Sequence, residues 1–362
     1  MVTKMNGLSL EFIIHPGETL KEILEDREIS QKELAVRTGV TAAHVSKIVN
    51  GQKAISIRFA KMLEYALDIE ASFWINLQAN YDREIIELEE LENISQTELT
   101  ILKNLHEILE YLKDLGHLSM QAFDSMLVIE LRRLLRLSSL EHIPKMAKMG
   151  AYRLAATATV DPYVMFTWLR VCELTEERDT PSSTLNVDLL LNKLPTIKKL
   201  MFSDAATIEV ALKKHLQDCG IRFSIIKHFS GAPIQGVIRQ NDDGTLSLVM
   251  TNRGKFADIF WFSFFHELGH IIHGNITNKL LIDYASHGQS RESEADTFAS
   301  ETLMNAALYA EFVKEGDFSL QSIKQFASKV DVPAFIVIGR LQRDRHLAYY
   351  HYAEEKVVYE FA

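Results

Sequence analysis

Residues 31–50 read QKELAVRTGVTAAHVSKIVN. Leu34, Val40, Val45 and Ile48 recur at spacings that let two short helices share one core. Ala35 falls where the helices would cross. Gly39 falls at the turn, where a positive φ costs glycine far less than a residue with a Cβ. Thr41 is placed to cap the second helix. That helix would present Thr41, Ala42, His44, Ser46 and Lys47 outward. These short polar or small side chains, with one cation, suit base edges and phosphates in a major groove. The bare pattern also fits a helical hairpin used only for packing.

Charge separates the two readings. Over 30–61 stand Lys32, Arg37, Lys47, Lys53, Arg58 and Lys61 against the single acid Glu33. The whole chain of 362 residues carries 39 Lys+Arg against 49 Asp+Glu, a net charge of −10. That balance excludes a uniformly basic coat protein for nucleic acid but leaves room for one basic face, which phosphate contact needs.

Flanking residues extend the pattern. His15-Pro16-Gly17-Glu18, then Gln31 to Gly51, then Phe73-Trp74-Ile75-Asn76-Leu77-Gln78 and Tyr81-Asp82 closely resemble the HigA-type antitoxins of the Cro/C1 (XRE) family. The resemblance covers about 15–82. It implies a λ-repressor-like five-helix domain that binds double-stranded operator DNA, usually as a homodimer on a palindrome. By that resemblance Gln31 would cap the second helix at a phosphate, and Thr41 to Lys47 would read bases.

A second constellation lies far downstream, at His266-Glu267-Leu268-Gly269-His270. Positions four apart on a helix share a face one turn apart, which suits two ligands of a tetrahedral Zn²⁺. Glu267 lies beside that face, placed to take a proton from a water that the ion acidifies. The preceding run Phe260-Trp261-Phe262-Ser263-Phe264-Phe265 marks a core helix, in which two His and a Glu are expensive unless they bind something. Residues 291–300 form a second helical segment. There Glu292 and Asp296 share a face, so Glu292 is assigned as third ligand and Asp296 as the carboxylate that orients a ligand imidazole. Glu294 points away and becomes the ligand only if the first turn is irregular. His273 is read as a supporting or helix-capping residue, because three ligands on consecutive turns of one straight helix fit a tetrahedron poorly.

Residues Gly231 to about Asn305 closely resemble the ImmA/IrrE family of metallopeptidases. The resemblance rests on Gly231-Ala232-Pro233-Ile234-Gln235-Gly236, Phe260-Trp261-Phe262, His266 to His273, and Glu292 to Ala299. It implies a gluzincin-like zinc site and cleavage of one DNA-binding repressor rather than general digestion. One departure stands out: relatives often end the second helix in Met-Pro, whereas Met304 is followed here by Asn305. Tyr284, His287 and Tyr309 are unranked candidates for stabilising an oxyanion.

The remaining stretches say less. Strands are expected at Ile221–Lys227, Ile234–Arg239 and Leu246–Thr251, with a hairpin turn at Asn241-Asp242-Asp243-Gly244 and helices from Lys255 to about Arg345. Residues 326–341 repeat the first pattern weakly, with Asp331 in place of the turn glycine. Phe335, Ile336, Val337 and Ile338 on its second helix favour burial, so it reads as a packing element. Residues 84–137 offer only apolar spacing, and Lys113, His117, Arg132, Arg133 and Arg136 converge on no motif.

The expected architecture is mainly α with a small β-sheet (α+β). It comprises a helix-turn-helix domain over 1–82, a helical middle over 83–200 and a metallopeptidase domain over 201–362. Cys172 and Cys219, the only cysteines, exclude a disulfide framework. No leader is legible in Met1–Phe12, and no apolar run approaches the ~20 residues of a membrane span. A cytoplasmic regulator with a zinc peptidase acting on a specific protein substrate is the leading expectation. Its rivals are a non-proteolytic antitoxin or repressor whose rear domain senses a ligand or binds a toxin, and a general peptidase whose helix-turn-helix only docks substrate.

Overall fold

The computed structural model describes residues 13–148, 160–176, 184–253, 256–274, 280–282 and 289–361. Small polar acceptors start the front helices. His15, Ser30, Thr41 and Ser56 each accept a backbone N–H at the head of α1 (Pro16–Asp26), α2 (Gln31–Thr38), α3 (Ala42–Val49) and α4 (Ile57–Leu67). The cap of α2 is therefore Ser30 and not Gln31, which is the first helical residue. A fifth helix, α5 (Ala71–Glu92), completes the set. Gly39 closes α2 at φ 68°, and the Val40 N–H returns to the Ala35 carbonyl at 3.0 Å. Leu20, Leu34, Val45, Ile48, Phe59, Leu63 and Trp74 form the core.

Two further features explain residues that the sequence pattern only flagged. A Cβ on Gly17 would stand 1.8 Å from the Ile48 carbonyl oxygen, so α1 reaches α3 only because that position is bare. Buried Gln78 accepts the Ile55 N–H at 2.9 Å and donates to Asp82 at 2.8 Å, tying α5 to the loop before α4.

Among the described residues six α-helices follow: α6 (Gln96–Asn104), α7 (His106–Asp114), α8 (Asp124–Leu135), α9 (Ile143–Lys148), α10 (Pro162–Glu176) and α11 (Val187–Lys199). The chain divides into two compact units, Met1–Leu99 with Ala122–Ile129, and Thr100–Gln121 with Glu130–Ala362. Helices expected between 83 and 200 are thus apportioned between the two units.

The second unit carries the sheet. After α12 (Ala205–Gln217) come β1 (Ile221–Ile226), β2 (Gly236–Gln240) and β3 (Leu246–Thr251). The order is β1-β3-β2-β4, with β1 parallel to β3 and β2 antiparallel to it. Every residue of β3 is buried, as befits a strand with neighbours on both sides. The turn between β2 and β3 falls where expected, with Gly244 at φ 80°. The fourth strand, β4 (Leu280–Ile282), pairs antiparallel with β2 inside a stretch expected to be helical. Its three residues leave no periodicity to read, and only the open edge of β2 creates it.

Helix α13 (Ala257–Ile272) is the axis of this unit. Phe260, Trp261, Phe264, Phe265, Leu268 and Ile271 are buried in one cluster with Phe223, Leu248 and Met250 of the sheet. Its first N–H, on Ala257, donates to the Val357 carbonyl, and Trp261 Nε1 donates to the Tyr359 hydroxyl at 3.0 Å. Behind it lie α14 (Gln289–Leu303), α15 (Ala306–Glu315), α16 (Leu320–Lys329) and α17 (Ala334–Arg343).

The α16–α17 turn repeats the α2–α3 turn in backbone terms. Asp331 sits at φ 54°, and the Val332 N–H returns to the Ala327 carbonyl at 3.1 Å. Phe335, Ile336, Val337, Ile338 and Leu341 are buried, so the second helix packs inward, as its composition requires. Both cysteines are free and buried. Among the described residues no helix is long and apolar enough to cross a membrane.

Candidate metal centre and nucleic-acid face

Helix α13 brings His266 and His270 onto one face, and α14 brings Glu292 opposite them. The approach depends on small residues. A Cβ on Gly269 would meet the Ala295 Cα at 3.1 Å and the Phe298 ring at 3.2 Å. The glycine inside the H-E-L-G-H stretch therefore serves the helix crossing.

His266 Nε2 lies 3.0 Å from His270 Nε2 and 3.2 Å from Glu292 Oε2, and His270 Nε2 lies 3.6 Å from the same oxygen. Ligands of a tetrahedral Zn²⁺ held at about 2.0–2.1 Å lie roughly 3.3 Å apart. The observed separations bracket that value, and two imidazoles with one carboxylate are a donor set that zinc accepts. Among the described residues these three form the one cluster of this kind. The residues present fit the ion.

Asp296 supports the triad from behind. Its Oδ1 stands 2.9 Å from His266 Nδ1, and its Oδ2 takes Arg343 Nη2 at 3.3 Å. The hydrogen bond to His266 is the main reason that its carboxyl is held below the usual carboxylate range; Arg343 adds to this and partial burial opposes it. Glu267 is fully buried beside His266. A Cβ on Gly236 would come within 2.3 Å of its Oε1, so β2 passes the carboxylate with no room for a side chain.

The other expected positions sort as follows. Glu294 is exposed and outside the cluster. His273 is the exposed C-cap of α13, its ring edge-on to Phe298 at 5.9 Å. The Tyr309 hydroxyl donates to Asp344 at 2.9 Å, and its ring carries the Arg340 guanidinium at 5.2 Å. Burial, with Asp344 beside it, pushes that hydroxyl's pKa strongly upward. Tyr284 and His287 lie outside the described residues. Asn305 caps α15 by accepting the Ala307 and Leu308 N–H groups.

A cavity of about 750 Å³ opens onto His266, Glu292 and Asp296. Arg340 and Arg343 line it, and the sequence reading missed both. Their only local signal was a pair of cations three apart at the end of a helix read as packing.

On the front unit, Thr41, Ala42 and Lys47 are exposed, while His44, Ser46 and Gln31 are half-buried. His44 leans on the Phe59 ring at 5.1 Å, and its Nδ1 lies 3.2 Å from Lys53 Nζ. Burial, and then the Lys53 charge, lowers the pKa of His44. Ser46 accepts from Asn50 at 3.3 Å. Arg37 pairs with Glu33, and Lys61 with Glu64. Among the described residues no ion pair engages Lys32, Lys47, Lys53 or Arg58.

Two family profiles match the chain: a helix-turn-helix family over residues 20–74, and the IrrE N-terminal-like domain over residues 239–342. The chain joins a helix-turn-helix domain to an IrrE N-terminal-like domain. The front domain is 39% identical over 69 residues to virulence-associated protein A′ of Dichelobacter nodosus, a match spanning 19% of this chain and 60% of that protein. Solved structures similar to it include PA4674 of Pseudomonas aeruginosa in complex with its operator DNA. That match is 40% identical, covers 20% of this chain and 80% of that one, and has a TM-score of 0.20. The antitoxin HigA of Pseudomonas aeruginosa, solved with the higBA promoter, is 35% identical, with 23% and 96% covered and a TM-score of 0.22. The IrrE-like profile covers β3, α13, α14 and all but the last residue of α17, and so contains the triad with Asp296 and Arg340, while Gln235, Arg343 and Asp344 of the cavity wall fall outside it.

Proposed function

We propose that the chain is an antitoxin-like transcriptional regulator that binds operator DNA as a homodimer, and that its IrrE-like domain is a zinc-dependent endopeptidase. Its substrate would be one protein partner, such as a repressor or a toxin–antitoxin protein. The observation that carries the reading is the convergence of His266 Nε2, His270 Nε2 and Glu292 Oε2 beside an open cavity. A bound zinc ion supplies a Lewis acid that acidifies water and polarises a peptide carbonyl. Glu267 takes the proton of the attacking water and returns it to the leaving amine. Asp296 accepts a hydrogen bond from the His266 Nδ1–H, which keeps the Nε2 lone pair turned toward the site. Restriction to one partner rests on the ImmA/IrrE resemblance.

The test is bound metal per chain, measured on protein purified without added zinc. Wild type should carry one zinc ion, lost in Glu292→Ala and retained in Glu294→Ala. Zinc retained in Glu292→Ala, or none taken up by wild type even when supplied, would remove the peptidase reading.

For the front domain, affinity for the DNA upstream of its own coding sequence should fall linearly on logarithmic axes as salt rises. Lys47→Ala should lessen that slope by about one, the share of one phosphate contact. An unchanged slope would move Lys47 off the phosphate backbone.

A further inference from the structure

Gln235 lines the metal cavity together with His266 and Glu292. Its main chain is pinned by Thr251 at the end of β3. The Thr251 N–H donates to the Gln235 carbonyl at 2.9 Å, and the Thr251 hydroxyl donates to the Ile234 carbonyl at 2.6 Å. The next residue is Gly236, whose missing side chain is the space that Glu267 Oε1 needs. The Gln235 side chain is held by α13. The hydroxyl of buried Ser263, one turn before His266 and Glu267, donates to Gln235 Oε1 at 2.7 Å.

This bond gives the amide a direction. Oxygen and nitrogen stand on opposite sides of one planar group, so an oxygen engaged by Ser263 turns Nε2 and its two hydrogens away from that serine. The charges of the site favour the same orientation. The cavity carries the Glu292 and Asp296 carboxylates, and Glu267 lies beside Gly236, so an amide oxygen turned toward them would meet like charge.

We infer that Gln235 is a catalytic residue of this site, whose Nε2–H donates to the carbonyl oxygen of the peptide bond under attack. This rests on the metallopeptidase reading of the adjoining triad. When water adds to the carbonyl carbon, a C–O bond forms, the water's proton passes to Glu267, and the π pair of the carbonyl moves onto its oxygen. That oxygen carries full negative charge only after the addition. A donor already fixed in place therefore binds the oxyanion more strongly than the ground-state carbonyl. Ser263 acts one step back, as a positioning residue that holds the amide by its oxygen. The Tyr309 hydroxyl, by contrast, already donates to Asp344.

The experiment uses the zinc-loaded full chain and two anions of different shape. Azide is linear and offers a metal one terminal nitrogen. Methylphosphonate is tetrahedral, and with one oxygen on a metal it still presents others to a donor, as the oxyanion would. Dissociation constants are read by titration calorimetry for wild type, Gln235→Leu and Gln235→Asn, which keeps an amide but withdraws it by one methylene. Both variants should bind methylphosphonate about ten- to a hundredfold more weakly, the share of one hydrogen bond to a charged group. Azide should stay within about twofold. An equal loss of both anions would point to a disturbed metal site and overturn the assignment. So would methylphosphonate binding that survives in either variant, or that fails in wild type while azide binds; these outcomes leave the metal site standing. Wild type that takes up no zinc removes the metal reading and this inference with it.

Discussion

Glu267→Gln is expected to slow hydrolysis by about 10²–10⁴-fold, the range that a positioned acid–base group contributes. The carboxamide has nearly the volume of the carboxylate, so it fits the space beneath Gly236 without moving β2. Zinc content and operator affinity should therefore stay at wild-type levels. An enzyme restricted to one partner, as proposed, would be silent on casein, so the assay is labelling of new N-termini in a cell extract incubated with the zinc-loaded chain. Termini present with wild type and absent with Glu267→Gln would carry the assignment. Equal cleavage by both would place the base elsewhere, and loss of zinc and DNA binding together would reduce the effect to misfolding.

Gly236→Ala should be nearly as damaging by a different route. The new methyl group would overlap Glu267 Oε1, Cδ and Cγ at 2.3–2.6 Å. Neither partner has an easy retreat: β2 is fixed by β3 on one side and β4 on the other, and α13 is buried along most of its length. Overpacking of this kind costs about 1–3 kcal/mol. The substitution should thus lower the thermal midpoint of the rear unit and displace the carboxylate that Glu267→Gln merely neutralises. Full activity with unchanged stability would show that the strand yields, and that the bare position has another cause.

The contrast between these two positions shows what the sequence could disclose. Glu267 is legible because the helical period ties it to His266 and His270, so local spacing carries its chemistry. The same period separates Glu292 from Glu294, and α14 is regular from Gln289, so Glu292 faces His266 as the spacing requires. Gly236 showed only as one letter within a resemblance, since its reason is a side chain on another element. Arg340 and Arg343 were hidden for the same cause: α17 was read correctly as a packing helix, and its charged end reaches the cavity only once α13 and α14 are in place. β4 left no trace at all, because three residues are too few for a pattern and its pairing is set by a free sheet edge. The i, i+4 pairs His266–His270 and Glu292–Asp296 do share their helix faces, whereas His44 and Ser46 are half-buried where the period placed them outward, and contacts across the fold had to await the structure.

The turn at Gly39 and the turn at Asp331 place their chains on nearly the same path, yet the helices that follow meet opposite surroundings. After Gly39 the first residues of α3 remain open to solvent, with a lysine one turn on. After Asp331 the corresponding helix is largely buried in the core, and its Arg340 and Arg343 line a cavity. A shared hinge therefore conveys no instruction about what the hinge is for. In this protein, the capacity to read another molecule is written in the outward faces of the helices, and evolution has been free to spend one piece of backbone grammar on two unrelated sentences.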